Sequence, residues 1–119
     1  MKKIFLVLAL LAGLNLSAQT LFKQFNAGEY ARDLTLRIYN DLHITQPQQR
    51  DAIRKAVYVY AQSIKKYILV AEKKGTAQGK TLDQVIEMVK PQALDASKLY
   101  QSLSSILTTE QVNRIKRIL

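Results

Sequence analysis

Few side chains in this chain are of a type that breaks or makes bonds. It contains one histidine, His43, and no cysteine, which removes thiolate nucleophiles, disulfides and thiolate metal sites together. A Ser-His-Asp arrangement would have to be assembled on His43 with Asp41 as its acid; its place beside a helix junction argues for a capping or surface histidine instead. Acid–base chemistry would need two carboxylates brought together, yet the acids fall near helix starts or beside cations. Asp51 with Lys55, and Glu110 with Arg114, have the acid-first, four-residue spacing of surface helix pairs. Gly79-Lys80-Thr81 lacks the upstream glycine of a phosphate loop. Transition-metal sites want several His, Cys or grouped carboxylates, and one histidine with Met1 and Met88 does not supply them. A site shared between two copies of His43 is the sole metal arrangement left open. No catalysis, cofactor or metal is expected.

What remains is non-covalent binding. Tyr58 and Leu69 stand eleven positions apart, three helical turns and hence one side, and Val59 and Val70 repeat the relation. Between them lie Lys65 and Lys66, with Arg54 and Lys55 one turn before. Flexible cations beside scattered apolar groups suit weak, adaptable capture of polypeptide. The competing expectation is that the apolar groups are covered by neighbouring helices or a second subunit, with the lysines solvated.

These residues must be positioned by helices, because no segment shows sustained strand alternation bounded by turn residues. Residues 19–28 read as a loose lead-in. Tyr30, Leu34, Ile38 and Leu42 recur every fourth residue and predict a helix from Ala27 to Leu42. The longest helix is expected from Gln46 to Lys74, with Ile53, Val57, Tyr60, Ile64, Tyr67 and Ala71 as its seam. Lys73 and Lys74 suit a helix C-terminus, and Gly75 can take the left-handed conformation that ends it.

A return arm should begin at Thr81 and carry Leu82, Ile86, Val89, Ala93, Ala96, Tyr100, Leu103 and Leu107 on one seam, with a kink or short break near Lys90 caused by Pro91. A last helix is expected from Thr109 to Ile118, with Val112, Ile115 and Leu119 on one side. The fold class is therefore all-α, a small bundle of four to five helices built on a long antiparallel helical hairpin with a proline-kinked return arm.

Two of these helix starts share a pattern. Residues 107–111 read LTTEQ and residues 44–48 read ITQPQ. With Thr108 as N-cap, its hydroxyl accepts from the amide of Gln111 while the Gln111 side chain reaches back, a capping box. Leu107 and Val112 complete a hydrophobic staple. Thr45 and Gln48 are expected to repeat the box after Ile44, and Thr81 with Gln84 makes a third.

The N-terminus reads as an export signal: Lys2 and Lys3, a non-ionic leucine-rich run from Ile4 to Leu16, then small residues ending at Ala18. Thirteen residues at about 1.5 Å each fall short of the ~30 Å hydrocarbon core, so cleavage after Ala18 is expected rather than anchoring. Residues 1–18 hold two of the 18 basic residues and none of the 9 acidic ones, so removing them lowers the formal charge from +9 to +7. In a periplasm or outside the cell, this basic remainder would meet acidic polymers, lipid headgroups or unfolded acidic polypeptides rather than nucleic acid.

An exported, cysteine-free helical chain with one aliphatic-Thr-x-x-Gln starting its long central helix and another starting its last helix resembles the Spy/CpxP family of periplasmic LTxxQ proteins. Leu107, Thr108 and Gln111 match that motif strictly, whereas Ile44 stands for leucine in the copy with Thr45 and Gln48. The resemblance implies a small helical protein that dimerises through antiparallel long helices into a curved cradle. It implies an ATP-independent chaperone or an envelope-stress regulator, binding unfolded polypeptides or one acidic envelope partner. A homodimer, a single specific partner and, more weakly, attachment to a membrane surface are the alternatives carried forward.

Overall fold

The computed structural model describes residues 20–119, and the expected signal peptide at 1–18 lies outside them. Six helices run in order along the chain: α1 (Thr20–Gln24), α2 (Ala27–Leu42), α3 (Pro47–Lys74), α4 (Leu82–Ser97), α5 (Leu99–Ser104) and α6 (Thr109–Ile118). There are no strands among the described residues, and the protein is an all-α bundle.

The 28-residue helix α3 is the axis, and α1, α2, α4 and α5 pack against it while α6 bridges α2 and α5. Its buried stripe is Ile53, Val57, Tyr60, Ala61, Ile64, Ile68 and Ala71, close to the expected seam except that Ile68 replaces Tyr67 at the centre. The apolar residues fall three and four apart, which keeps one face toward the core. Ile38, Val85, Val89, Leu99, Leu103 and Ile115 close around that stripe from the other helices.

The end of α2 and the start of α3 differ from expectation. His43, in the left-handed region with φ 53°, ends α2, and the Ile44 N–H donates to the Tyr39 carbonyl at 3.0 Å. Ile44 is buried just beyond that turn, so it belongs to the close of α2 as the apolar residue of a Schellman-type cap. The N-cap of α3 is Gln46 with no side-chain cap bond, and Pro47 occupies the first helical position. The Thr45–Gln48 box does not form. A residue before proline is pushed out of the helical region; Gln46 is accordingly extended (φ −72°, ψ 127°), which moves the start one residue past the register the box requires.

The other two boxes form as expected. The Gln84 N–H donates to Thr81 Oγ1 at 3.2 Å and the Thr81 N–H to Gln84 Oε1 at 2.8 Å. At α6 the same pair of bonds joins Thr108 and Gln111 at 3.1 and 2.9 Å, with Leu107 and Val112 both buried. At the far end of α3, Gly75 (φ 81°) and the Thr76 N–H bond to the Ala71 carbonyl make the expected stop.

The return arm is helical straight through Pro91, and its interruption lies seven residues later at Lys98, whose φ is 54°. Pro91 is solvent-exposed and the helix continues past it, so the forfeited backbone bond and the crowding of the Glu87 carbonyl are absorbed without ending the helix. The left-handed step at Lys98 rotates the chain beyond it. Leu99 and Leu103 enter the core, while Ala96, expected on the seam, is exposed.

The lead-in is also more ordered than expected. Five residues form α1, and Phe25 behind it is buried against the core. Asn26 then caps α2, its Oδ1 accepting from the Glu29 N–H at 3.0 Å.

Candidate functional site

At about 100° per residue, the positions of α3 opposite Val57, Ile64 and Ile68 are Lys55, Val59, Gln62, Lys66 and Lys73, with Tyr58 on their flank. They form one outer strip. Tyr58 and Val59 stand about half exposed on it, at 48% and 50%, and are adjacent in sequence, whereas the other exposed large apolar residues, Leu36 and Met88, lie on α2 and α4. Gln62 Nε2 donates to the Tyr58 hydroxyl at 2.8 Å. Leu69 and Val70 are half-buried at its borders.

The cations near this strip are not equivalent. Arg54 and Lys55 both reach Asp51, at 2.7 and 3.0 Å, and their bonds, Arg54 first, hold its carboxyl below the usual carboxylate range. Such solvent-exposed pairs are weak and exchangeable. Lys66 is exposed, its ammonium 5.8 Å from the Tyr67 ring centroid.

Lys65 has a different position. Its Nζ donates to the carbonyls of Phe22 and Phe25 at 3.0 and 2.7 Å and lies 4.5 Å from the Phe22 ring centroid. The structure thus separates Lys65 from the free cations with which its spacing grouped it. Leu69, beside Lys66 on the strip's edge, is only partly available.

Two groupings escaped sequence reasoning. Buried Glu72 accepts the amides of Leu21 and Phe22 at 3.2 and 2.7 Å, so Glu72 and Lys65 between them hold α1. The second lies where α6 crosses α2: an open cleft of about 480 Å³ lined by Arg37, Asp41, Arg114, Arg117 and Ile118. Arg114 was expected to pair with Glu110, but no ion pair among the described residues includes it. Spacing carried a partial signal here. Arg37 and Asp41 are one turn apart on α2, and Arg114 and Arg117 one turn apart on α6, but only the crossing of the two helices brings the pairs together.

His43 serves backbone geometry at the end of α2, and among the described residues no group of three or more His, Cys, Asp or Glu side chains is placed to hold a metal ion. No helix of the described residues is long and apolar enough to cross a membrane. No family model matches the chain, and no curated protein or solved structure matches it either.

Proposed function

We infer that the protein is an exported, non-enzymatic holdase that captures unfolded polypeptides without nucleotide, on the outer strip of α3, in the manner the resemblance to Spy/CpxP proteins implies. The observation that carries this reading is the exposure of Tyr58 and Val59 beside Lys55 and Lys66 on one rigid helix. Isolated apolar groups of this size offer a few small adhesive contacts, and mobile ammonium groups add attraction to acidic segments without fixed geometry. The combination favours many weak clients over one tight one. Export rests on the N-terminal pattern of residues 1–18.

The test is suppression of aggregation of a chemically denatured client at near-stoichiometric ratios, with Tyr58→Ser/Val59→Ser as the decisive variant. Suppression by the wild-type protein, reduced by the double substitution and weakened by salt, supports the reading. No suppression at any ratio, together with recovery of one stoichiometric envelope protein in a pull-down, would replace it with a dedicated regulatory interaction. Fractionation and N-terminal mass analysis, expected to give a chain beginning at Gln19, checks the export step.

A further inference from the structure

We propose that the cleft between α2 and α6 is a binding site for a phosphoryl group carrying an amine on a short chain, distinct from the polypeptide-binding strip on α3. Arg37, Arg114 and Arg117 line the cleft with Asp41 and Ile118. None of the three arginines is in an ion pair or side-chain hydrogen bond among the described residues. Three arginines sharing one lining with a single carboxylate leave the cleft net positive, which attracts an anion.

The composition of the cleft narrows the ligand. A guanidinium presents a planar fork of donors that matches phosphoryl oxygens, and one phosphoryl group offers enough terminal oxygens to engage more than one fork. Three arginines and one aspartate leave the lining at a formal +2, above what one carboxylate would balance and suited to a phosphoryl group. Asp41 would repel a simple polyanion. It becomes favourable when the ligand also carries a donor, which an ammonium on a short alkyl link to the phosphoryl group supplies. Ile118, half-buried in the same lining, gives the short alkyl link an apolar wall. Asp41 lies four residues after Arg37, the cation-first order that pairs less well along a helix, so it stays available to a ligand. The ammonium–alkyl–phosphoryl unit occurs both in free phosphorylethanolamine, a monoester with about two negative charges, and in the phosphatidylethanolamine headgroup, a diester with one, so the charge of the lining favours the free compound.

Titration of the isotope-labelled protein with O-phosphorylethanolamine, followed by NMR of the arginine Nε–H groups and the α2 and α6 amides, tests the site. Shifts confined to these residues are expected, with affinity above that for inorganic phosphate and the difference abolished by Asp41→Asn. Arg114→Gln/Arg117→Gln should weaken binding roughly tenfold or more, while Lys80→Gln, outside both the cleft and the α3 strip, leaves it unchanged. All of these positions are exposed, and helical circular dichroism verifies that each variant folds. Sedimentation with phosphatidylethanolamine vesicles, against phosphatidylcholine alone, separates the two sources. Retention lost in the arginine variant assigns the lipid headgroup, and soluble binding without retention assigns the free compound. No shift at tens of millimolar ligand, or an equal loss from Lys80→Gln, overturns the proposal.

Discussion

Glu72 and Lys65, seven residues apart on α3, hold opposite ends of the same short helix. The carboxylate accepts the Leu21 and Phe22 amides at the start of α1, and the ammonium caps the Phe22 and Phe25 carbonyls at its end. Seven residues of α3 span about 10 Å, enough to bracket a five-residue helix laid antiparallel on it. Each charge also opposes the partial charge of the helix end it meets. A helix this short has negligible stability alone, so α1 exists because α3 supplies both of its caps.

Glu72→Ala should therefore release α1 rather than unfold the bundle, losing about 1.5–3 kcal/mol of local stability per charged hydrogen bond. Glu72→Gln keeps an acceptor and should lose less. Hydrogen exchange at Leu21 and Phe22 reads this directly: their protection should collapse in Glu72→Ala and in Lys65→Met while core amides such as Ile64 keep theirs. Cooperative loss across α3 in either variant would show that the clamp is part of the core instead.

The two aliphatic-Thr-x-x-Gln segments should respond differently to the same substitution. Thr108 makes the reciprocal bonds of a capping box, so Thr108→Ala should destabilise by about 1 kcal/mol in urea unfolding. Thr45 makes no cap bond and is exposed, so Thr45→Ala should stay within about 0.5 kcal/mol of wild type. Equal losses at both would show that the first box forms in solution.

Legibility followed the range of the forces involved. The limits of α2 and the stop of α3 were readable because a three-four apolar seam, Lys73, Lys74 and Gly75 act within one or two turns. The start of α3 was misplaced by one residue because the restriction that Pro47 puts on Gln46 competes with the box. Nothing local distinguishes Lys98 from other exposed lysines; its left-handed conformation follows from where Leu99 and Leu103 must point. Lys65 was grouped with free cations because its acceptors are backbone carbonyls about forty residues earlier. Periodicity placed Tyr58, Val59 and Lys66 off the main seam but left open whether the apolar pair was exposed or covered, because that depends on where the neighbouring helices stop; both are about half exposed. The arginine cleft could not, since it depends on how α6 crosses α2.

Backbone substitutions should show where the return arm carries strain. α4 is continuous through solvent-facing Pro91, so Pro91→Ala restores a helical hydrogen bond and should stabilise by about 1–3 kcal/mol. Lys98 holds φ 54° with its side chain exposed, and Lys98→Gly should stabilise by about 1 kcal/mol by removing the Cβ clash of the left-handed region. Chemical denaturation measures both. Destabilisation by Pro91→Ala would mean that the proline is needed to shape the arm.

The tyrosines at the centre of the bundle set the alkaline limit of stability. Tyr60 is fully buried, and its hydroxyl has no hydrogen-bond partner of ordinary geometry among the described residues, although Tyr30 lies beside it. Burial pushes the Tyr60 hydroxyl well above its ordinary 10.0, and burial is also the leading cause of the upward shifts of Tyr30 and Tyr100. The folded state thus retains phenolic protons that the unfolded chain gives up. Their contribution is fully present below the unfolded value of 10.0 and is lost as pH rises through the higher folded values. Urea midpoints should therefore be insensitive to these groups below about pH 9 and fall steeply above about pH 10. Tyr60→Phe removes both the ionisation and an unsatisfied buried hydroxyl, so it should flatten the alkaline decline and raise stability at neutral pH by about 1 kcal/mol. A loss of stability at neutral pH in Tyr60→Phe would mean that the hydroxyl makes a hydrogen bond in solution, with Tyr30 as the candidate acceptor, and Tyr30→Phe would then produce a matching loss.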